Sequence, residues 1–261
     1  MANTERGYDI IGNIAIVKFK RGVGKKEKKR YAEKFLREHK NVLTVLEKSE
    51  KFKGRLRTQG TKHIVGERTK EALYRENNCV FRLNVGSCYF SPRLSSERKE
   101  VGGMARKGEE VLVMFGGIAP YAIVIGKISK ANNVISVELS RECNKYAQEN
   151  VKRNKLEDKV KIIPGDVKKV LPKLKQKFDR IVMARPNLKD SFLNIAFKSI
   201  KKNGTIHYHG FYNEDNLEEL KDLIKEEAKK AKKKIKITKI KKAGDIAPYK
   251  YRYRVDFDVL S

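Results

Sequence analysis

Two acids sit where carboxylates could grip a nucleoside. Glu138 closes the run VISVE and Asp166 closes KIIPGD, each at the end of an apolar stretch with strand composition. A carboxylate at such a strand end can accept both hydroxyls of a ribose. A second, one strand further on, is placed to meet the edge of an adenine. Upstream, FGGIAP (115–120) is a turn of small residues that lets backbone approach a ligand closely. Downstream, DRIVMARP (179–186) ends on Pro186, which would shape the far wall. Each feature alone is equally well an exposed acid or an ordinary turn. One per successive strand, they point to an adenosine-containing cofactor. The turn lacks GxGxxG and the phosphate-loop pattern, so nicotinamide dinucleotides and ATP fit less well.

The elements needed to position these residues are legible from Val111 onward. VLVMFGGIAPYAIVIGKI reads as strand, turn and helix, NVISVELS as a strand, and RECNKYAQENVKRNK as a helix. KVKIIPGDV, FDRIVMA and GTIHYHGFY follow as strands separated by the helices KVLPKLKQ and LKDSFLNIAFKSI. The helix NLEELKDLIKEEAKKAKKK precedes two closing strands, IKITKIKKAG and YRYRVDFDVL. This alternation predicts a mostly parallel, doubly wound sheet with an antiparallel hairpin at one edge. Before it, residues 1–105 read as a small α+β domain. It has a strand pair in YDIIGNIAIVKF, a helix over KKEKKRYAEKFLREHKNVLTVLEK, the strands KHIVGE and CVFRLNVGSCYF, and the polar SPRLSSERKEV. The Gly-containing VGGMARKGEE marks the join, leaving 106–261 as the Rossmann-like domain.

Charge narrows the partner. The 261 residues carry 61 Lys+Arg against 32 Asp+Glu, a net +29, far beyond what solubility needs. Such an excess attracts a polyanion, and each phosphate contact releases condensed counterions. A lysine-rich proteome would raise both signs but not the imbalance. No lipidation motif, apolar signal region or spanning stretch is present in the sequence, which points away from membranes and to the cytoplasm. Three cysteines (Cys79, Cys88, Cys143) fall short of a four-ligand zinc pattern or a disulfide framework. His207 and His209 alternate on one strand face and are expected to pack or line a pocket rather than bind metal. The Lys-rich run 229–242 is read first as a solvated helix end and second as an RNA contact.

CVFRLNVGSCYFSPRLSSER, MFGGIAPYAI, ENVKRNKLEDKV and DRIVMARP…IHYHGF together resemble the archaeal and eukaryotic tRNA (guanine-37-N1) methyltransferases. Their sister family, the wybutosine-pathway aminocarboxypropyl transferases, has the same architecture. The resemblance runs from RGYDIIGNIAI to the final strand. The chain begins where the family's additional small N-terminal domain would end. The resemblance implies a class I, Rossmann-like fold, S-adenosylmethionine as cofactor, the anticodon stem-loop of tRNA as partner, no metal, and a monomer.

By the same resemblance, Glu97 of SPRLSSER would take the proton from guanine N1, and Arg57 would steady charge developing on O6. A salt bridge from Glu97 to Arg93 or Arg98 is the structural alternative. Arg93 and Arg98 would meet RNA phosphate or brace that loop. Phe115, Gly117, Ile118, Glu138, Leu139, Asp166 and Val167 would hold the cofactor, and Pro186 would border the target base. Tyr89, Phe90 or Tyr121 could stack on a flipped guanine, with core packing the commoner role for each.

The chain departs from the family at Val113, where an acid is usual, and at Ala119, where glycine is usual. It departs again at Ala184-Arg185-Pro186, where the family has Asn-x-Pro holding the flipped base. Arg185 is then a candidate donor to guanine O6. These departures keep two other readings open: aminocarboxypropyl transfer, and a catalytically weak tRNA-binding homologue that would not bind the cofactor tightly.

Overall fold

The structure, a computed structural model, describes residues 5–49, 59–247 and 249–261. Arg57 lies outside the described residues. The chain divides into two compact units, Met1–Pro92 and Arg93–Ser261.

The first unit is α+β. Strands β1 (Glu5–Ile11), β2 (Ile14–Phe19), β3 (Thr44–Lys48) and β4 (Thr61–Gly66) form a sheet in sequence order, with helix α1 (Lys25–Glu38) connecting the parallel pair β2 and β3. The helix expected to run through KNVLTVLEK stops at Glu38, and Thr44–Lys48 is a strand. The β-branched Thr44 and Val45 suit a buried strand better than a helix. Phe35 and Ala32 of α1 pack on Ala15, Val17 and Val45.

A second sheet pairs β5 (Glu71–Glu76) with β6 (Cys79–Asn84). Their two-residue loop, Asn77-Asn78, has positive φ at both positions, the geometry that matches strand twist in a tight hairpin. Gly12 in the β1–β2 turn tolerates no side chain, since a Cβ there would lie 1.9 Å from the Leu73 carbonyl oxygen. In this unit Cys79 is a buried free thiol and Cys88 is a half-cystine.

The second unit begins with a 3-10 turn at Pro92–Leu94 and helix α2 (Ser95–Met104). Both fall in a segment expected to be a polar connection and a join. Seven strands then form one sheet: β7 (Glu110–Met114), β8 (Asn133–Glu138), β9 (Val160–Pro164), β10 (Phe178–Met183), β11 (Ile200–Asn213), β12 (Ile235–Ala247) and β13 (Lys250–Val259).

Their order is β12-β13-β11-β10-β7-β8-β9. β9, β8, β7, β10 and β11 run parallel, and β13 lies antiparallel between β11 and β12. The order reverses between β7 and β10, which opens a crevice at their carboxyl ends. Helices α3 (Pro120–Ile128), α4 (Arg141–Arg153), α5 (Val167–Leu174), α6 (Leu193–Ser199) and α7 (Leu217–Lys230) complete the wound fold expected from sequence.

Leu112, Met114, Val137, Ile181, Met183, Ile206 and Phe257 line the core on one sheet face. The edge strand β12 carries Lys236, Lys239, Lys241 and Lys242, and its pairing with β13 is interrupted by three register shifts. On α4, Cys143 is a half-cystine.

Candidate active site

The crevice is built from the ends of consecutive parallel strands, as their sequence implies. β7 ends at Met114 and turns through Phe115, Gly117 and Ala119, all with positive φ (63°, 57° and 65°). Gly116 sits so close to β8 that a Cβ would meet Ser136 Oγ at 2.1 Å. Ala119, in the left-handed conformation, opens α3, where glycine would be less strained.

Glu138 locks this turn. Its Oε2 accepts the Gly117 N–H at 2.8 Å, and its Oε1 accepts the Ser140 N–H at 2.7 Å. Each oxygen keeps lone pairs free for ribose hydroxyls. Two asparagines brace the same region. Asn144 donates to the carbonyls of Glu138 (2.8 Å) and Ser140 (2.7 Å), and Asn150 donates to the Ile118 carbonyl at 3.3 Å. Asn150 belongs to ENVKRNKLED, so that motif supports the turn from behind.

Asp166, just past the end of β9, caps α5 by accepting the Lys168 N–H at 2.9 Å. Val167 and Ile118 are buried, while Leu139 is exposed. The Phe115 ring meets Phe192 edge-on at 4.9 Å, making an apolar wall that sequence reading did not single out. The acids, the close-approach turn and the aromatic wall fit an adenosine-containing cofactor.

The segment after β10 is held differently from expectation. Arg185 is buried and donates to the carbonyls of Leu188 and Asp190 (2.6 Å to the latter), so its guanidinium ties its own loop together. It also lies 5.5 Å from the Tyr208 ring. Ala184 and Pro186 flank it, half-buried.

Glu97 is 5% exposed on α2, and its Oε1 accepts from Arg254 Nη1 at 2.7 Å. His209 Nε2 lies 3.4 Å from the same oxygen, while Oε2 is buried without a hydrogen-bond partner. Burial pushes the Glu97 carboxyl up, but His209 and Arg254 outweigh it and hold it below the usual carboxylate range. Glu97 thus forms an ion pair with Arg254, a partner that sequence reading missed. Its signal was the alternation of charge with apolar residues in YRYRVDFD. Arg98 is buried near Tyr121 and Arg93 is exposed.

His207 and His209 are both fully buried on β11. Tyr121 is buried beside His209, and Phe90 packs on Tyr74 and Phe81, so both have packing roles.

The sheet order, the glycine turn at the first parallel strand and an acid at the end of the second define a class I, S-adenosylmethionine-dependent methyltransferase. The chain belongs to the family described as the TRM5/TYW2 methyltransferase domain, matched over residues 72–238, with a TYW2 N-terminal domain matched over 1–69.

It is 37% identical to the tRNA (guanine(37)-N(1))-methyltransferase Trm5b of Pyrococcus abyssi, over 97% of this chain and 74% of that protein. The crystal structure of that Trm5b superposes with a TM-score of 0.87, covering 98% of this chain and 75% of the other at 36% identity. Identity is 31% to the tRNA (guanine(37)-N(1))/4-demethylwyosine(37)-methyltransferase Taw22 of Nanoarchaeum equitans, over 95% of this chain and 98% of that protein. The structure of M. jannaschii TYW2 in complex with AdoMet matches at 25% identity with a TM-score of 0.75, covering 97% of this chain and 99% of the other.

Proposed function

We propose that this protein transfers a methyl group from S-adenosylmethionine to N1 of guanosine 37 in tRNA. The observation that carries the reading is the Glu97 carboxylate, buried in the SPRLSSER motif with one oxygen pinned and the other without a partner. Membership of the TRM5/TYW2 family and the likeness to Trm5b support it.

In this reading Glu138 receives the ribose hydroxyls, Asp166 meets the adenine edge, and Phe115, Gly117, Ile118, Leu139 and Val167 complete the cradle. The bound cofactor supplies an electrophilic methyl carbon whose bond to sulfur breaks as N1 attacks, leaving a neutral thioether. Glu97 takes the N1 proton at Oε2, and the electron pair left on N1 forms the new N–C bond. Arg57 steadies the charge on O6. Arg185 shapes the loop whose Pro186 borders the base, taking the place of the family's asparagine as an organiser. Arg93, being exposed, meets phosphate, and Arg98 braces α2.

The unit Met1–Pro92 positions the tRNA, and the unit Arg93–Ser261 carries Glu97 and holds the cofactor, so the boundary falls before α2 and not at 105. Among the described residues no helix is long and apolar enough to cross a membrane, and we place the protein in the cytoplasm as a monomer.

The match of residues 1–69 to a TYW2 N-terminal domain gives one second reading to test, aminocarboxypropyl transfer to a wyosine precursor. Incubation with S-adenosylmethionine and tRNA transcripts bearing G37 or A37, followed by nucleoside mass spectrometry, separates the two. A methyl-sized gain on G37 alone is expected. A gain of the larger increment, seen only on precursor-bearing tRNA, would replace this reading with the second. Silence on both, without cofactor binding, would leave a tRNA-binding homologue.

A further inference from the structure

Behind the crevice lies a chain of buried charges. Arg254 on β13 is fully buried and reaches three carboxylates: Glu97 at 2.7 Å, Glu100 at 2.7 Å and Asp256 at 2.9 Å. Glu100 has two further partners, Lys239 at 2.9 Å and Lys241, which with Arg254 hold its carboxyl down to about 2 against the opposing effect of burial. Asp256 has a second partner in His207 at 2.6 Å, which in turn faces Arg180 at 2.7 Å, itself paired with Glu109.

Glu97 differs. Its Oε1 meets Arg254 and, more distantly, His209, and its Oε2 is buried with no hydrogen-bond partner among the described residues. Desolvating a carboxylate oxygen without a partner costs roughly 1–3 kcal/mol, more for a charged group. A purely structural ion pair would have no reason to carry that cost. A proton acceptor would, because the unpartnered oxygen is then the one the substrate uses.

We propose that Arg254 is a positioning residue that fixes Glu97 Oε1 so that the N1 proton is taken at Oε2. The proposal rests on the reading of Glu97 as proton acceptor. The geometry explains why this base rides on a short helix: α2 is fastened to the sheet at Glu97 and Glu100, one turn apart, by one guanidinium. The charged and titratable groups about Glu97 are Arg254, Arg252 and Asp256 on β13, His209 on β11, Tyr121 on α3, and Arg98 and Glu100 on α2.

The test uses the full chain with G37 tRNA and measures single-turnover methylation against pH, S-adenosylmethionine affinity and melting temperature. For Arg254→Gln, the rate is expected to fall roughly 10–100-fold, the scale of a misplaced reacting group, while cofactor affinity holds. The acidic limb is expected to move to higher pH, because a cation that favoured the Glu97 carboxylate is gone. Arg254→Lys should recover part of both.

A folded Arg254→Gln with the wild-type rate and an unmoved limb would overturn the proposal. So would a rate that falls only in step with lost cofactor binding. Should Arg254→Gln not fold, Arg254→Lys decides: a slower rate with an upward shift of the limb supports the proposal, and a wild-type rate with an unmoved limb ends it. Glu97→Gln is run alongside. Full turnover there would remove the underlying reading, whereas low turnover there with an unaffected Arg254→Gln would remove this proposal alone.

Discussion

Glu138 at the end of β8 and Gly117 in the turn after β7 are joined by a 2.8 Å hydrogen bond from the glycine N–H to Oε2. The carboxylate proposed to receive the cofactor's ribose therefore also sets the turn that must lie against it. Removing the acid undoes both. Glu138→Ala is expected to weaken S-adenosylmethionine binding about tenfold or more, the scale of hydrogen bonds to a charged group, and to lower the melting temperature as well. Calorimetric titration and thermal unfolding of one sample measure the two together.

Glu97→Gln keeps the shape of the side chain and removes its basicity. Methyl transfer should fall roughly 10²–10⁴-fold, the contribution of a positioned general base. Cofactor affinity should be unchanged. His209 and Arg254 hold the carboxyl below its ordinary value despite burial, so it is ionised through the neutral range. Activity limited by Glu97 should therefore persist as pH falls and fail only beneath the usual carboxylate range, read from single-turnover rates.

Arg185→Ala should release the loop that the guanidinium ties at the Leu188 and Asp190 carbonyls. Turnover is expected to drop with little change in cofactor affinity. An Arg185→Ala enzyme with wild-type turnover would show that this loop does not organise the base.

Ala119 adopts φ 65° at the start of α3. Ala119→Gly should relieve the left-handed strain and stabilise the fold by up to about 1 kcal/mol. A rise of a few degrees in melting temperature is the measurement.

His207 and His209 are held below their ordinary pKa, chiefly by burial. The unfolded chain then binds more protons than the native one near pH 6.5 and below. Stability is expected to be full above that pH and to be lost as pH falls through the histidine range. Glu100, Asp179, Asp190 and Asp256, also held low, extend the loss into the acid range. Melting temperature recorded between pH 8 and 4 tests the slope.

The parallel core was legible because strands buried on both faces read as largely apolar runs, as in VLVM and in VISV, where Ser136 alone interrupts. The acids closing those runs were legible for the same reason: Glu138 and Asp166 are the first charges after them. Helix α2 was not. SPRLSSERKEV has only Leu94 and Val101 as apolar side chains in its helical part, and Glu97 and Arg98 are buried beside them. What permits a charged face to be buried is Arg254, 157 residues further along the chain, and local pattern carries no trace of such a partner. The helix forecast past Glu38 failed because Thr44 and Val45 pair into a sheet whose other strands only the tertiary fold supplies.

The outermost strand β12 has a practical consequence for a protein of net charge +29. Molecules drawn to one polyanion crowd together, and crowding is when open sheet margins begin to zip onto one another. Three breaks in register and a row of lysines deny a neighbouring copy a straight, neutral template. A second copy meeting this edge is therefore poorly placed to extend the sheet.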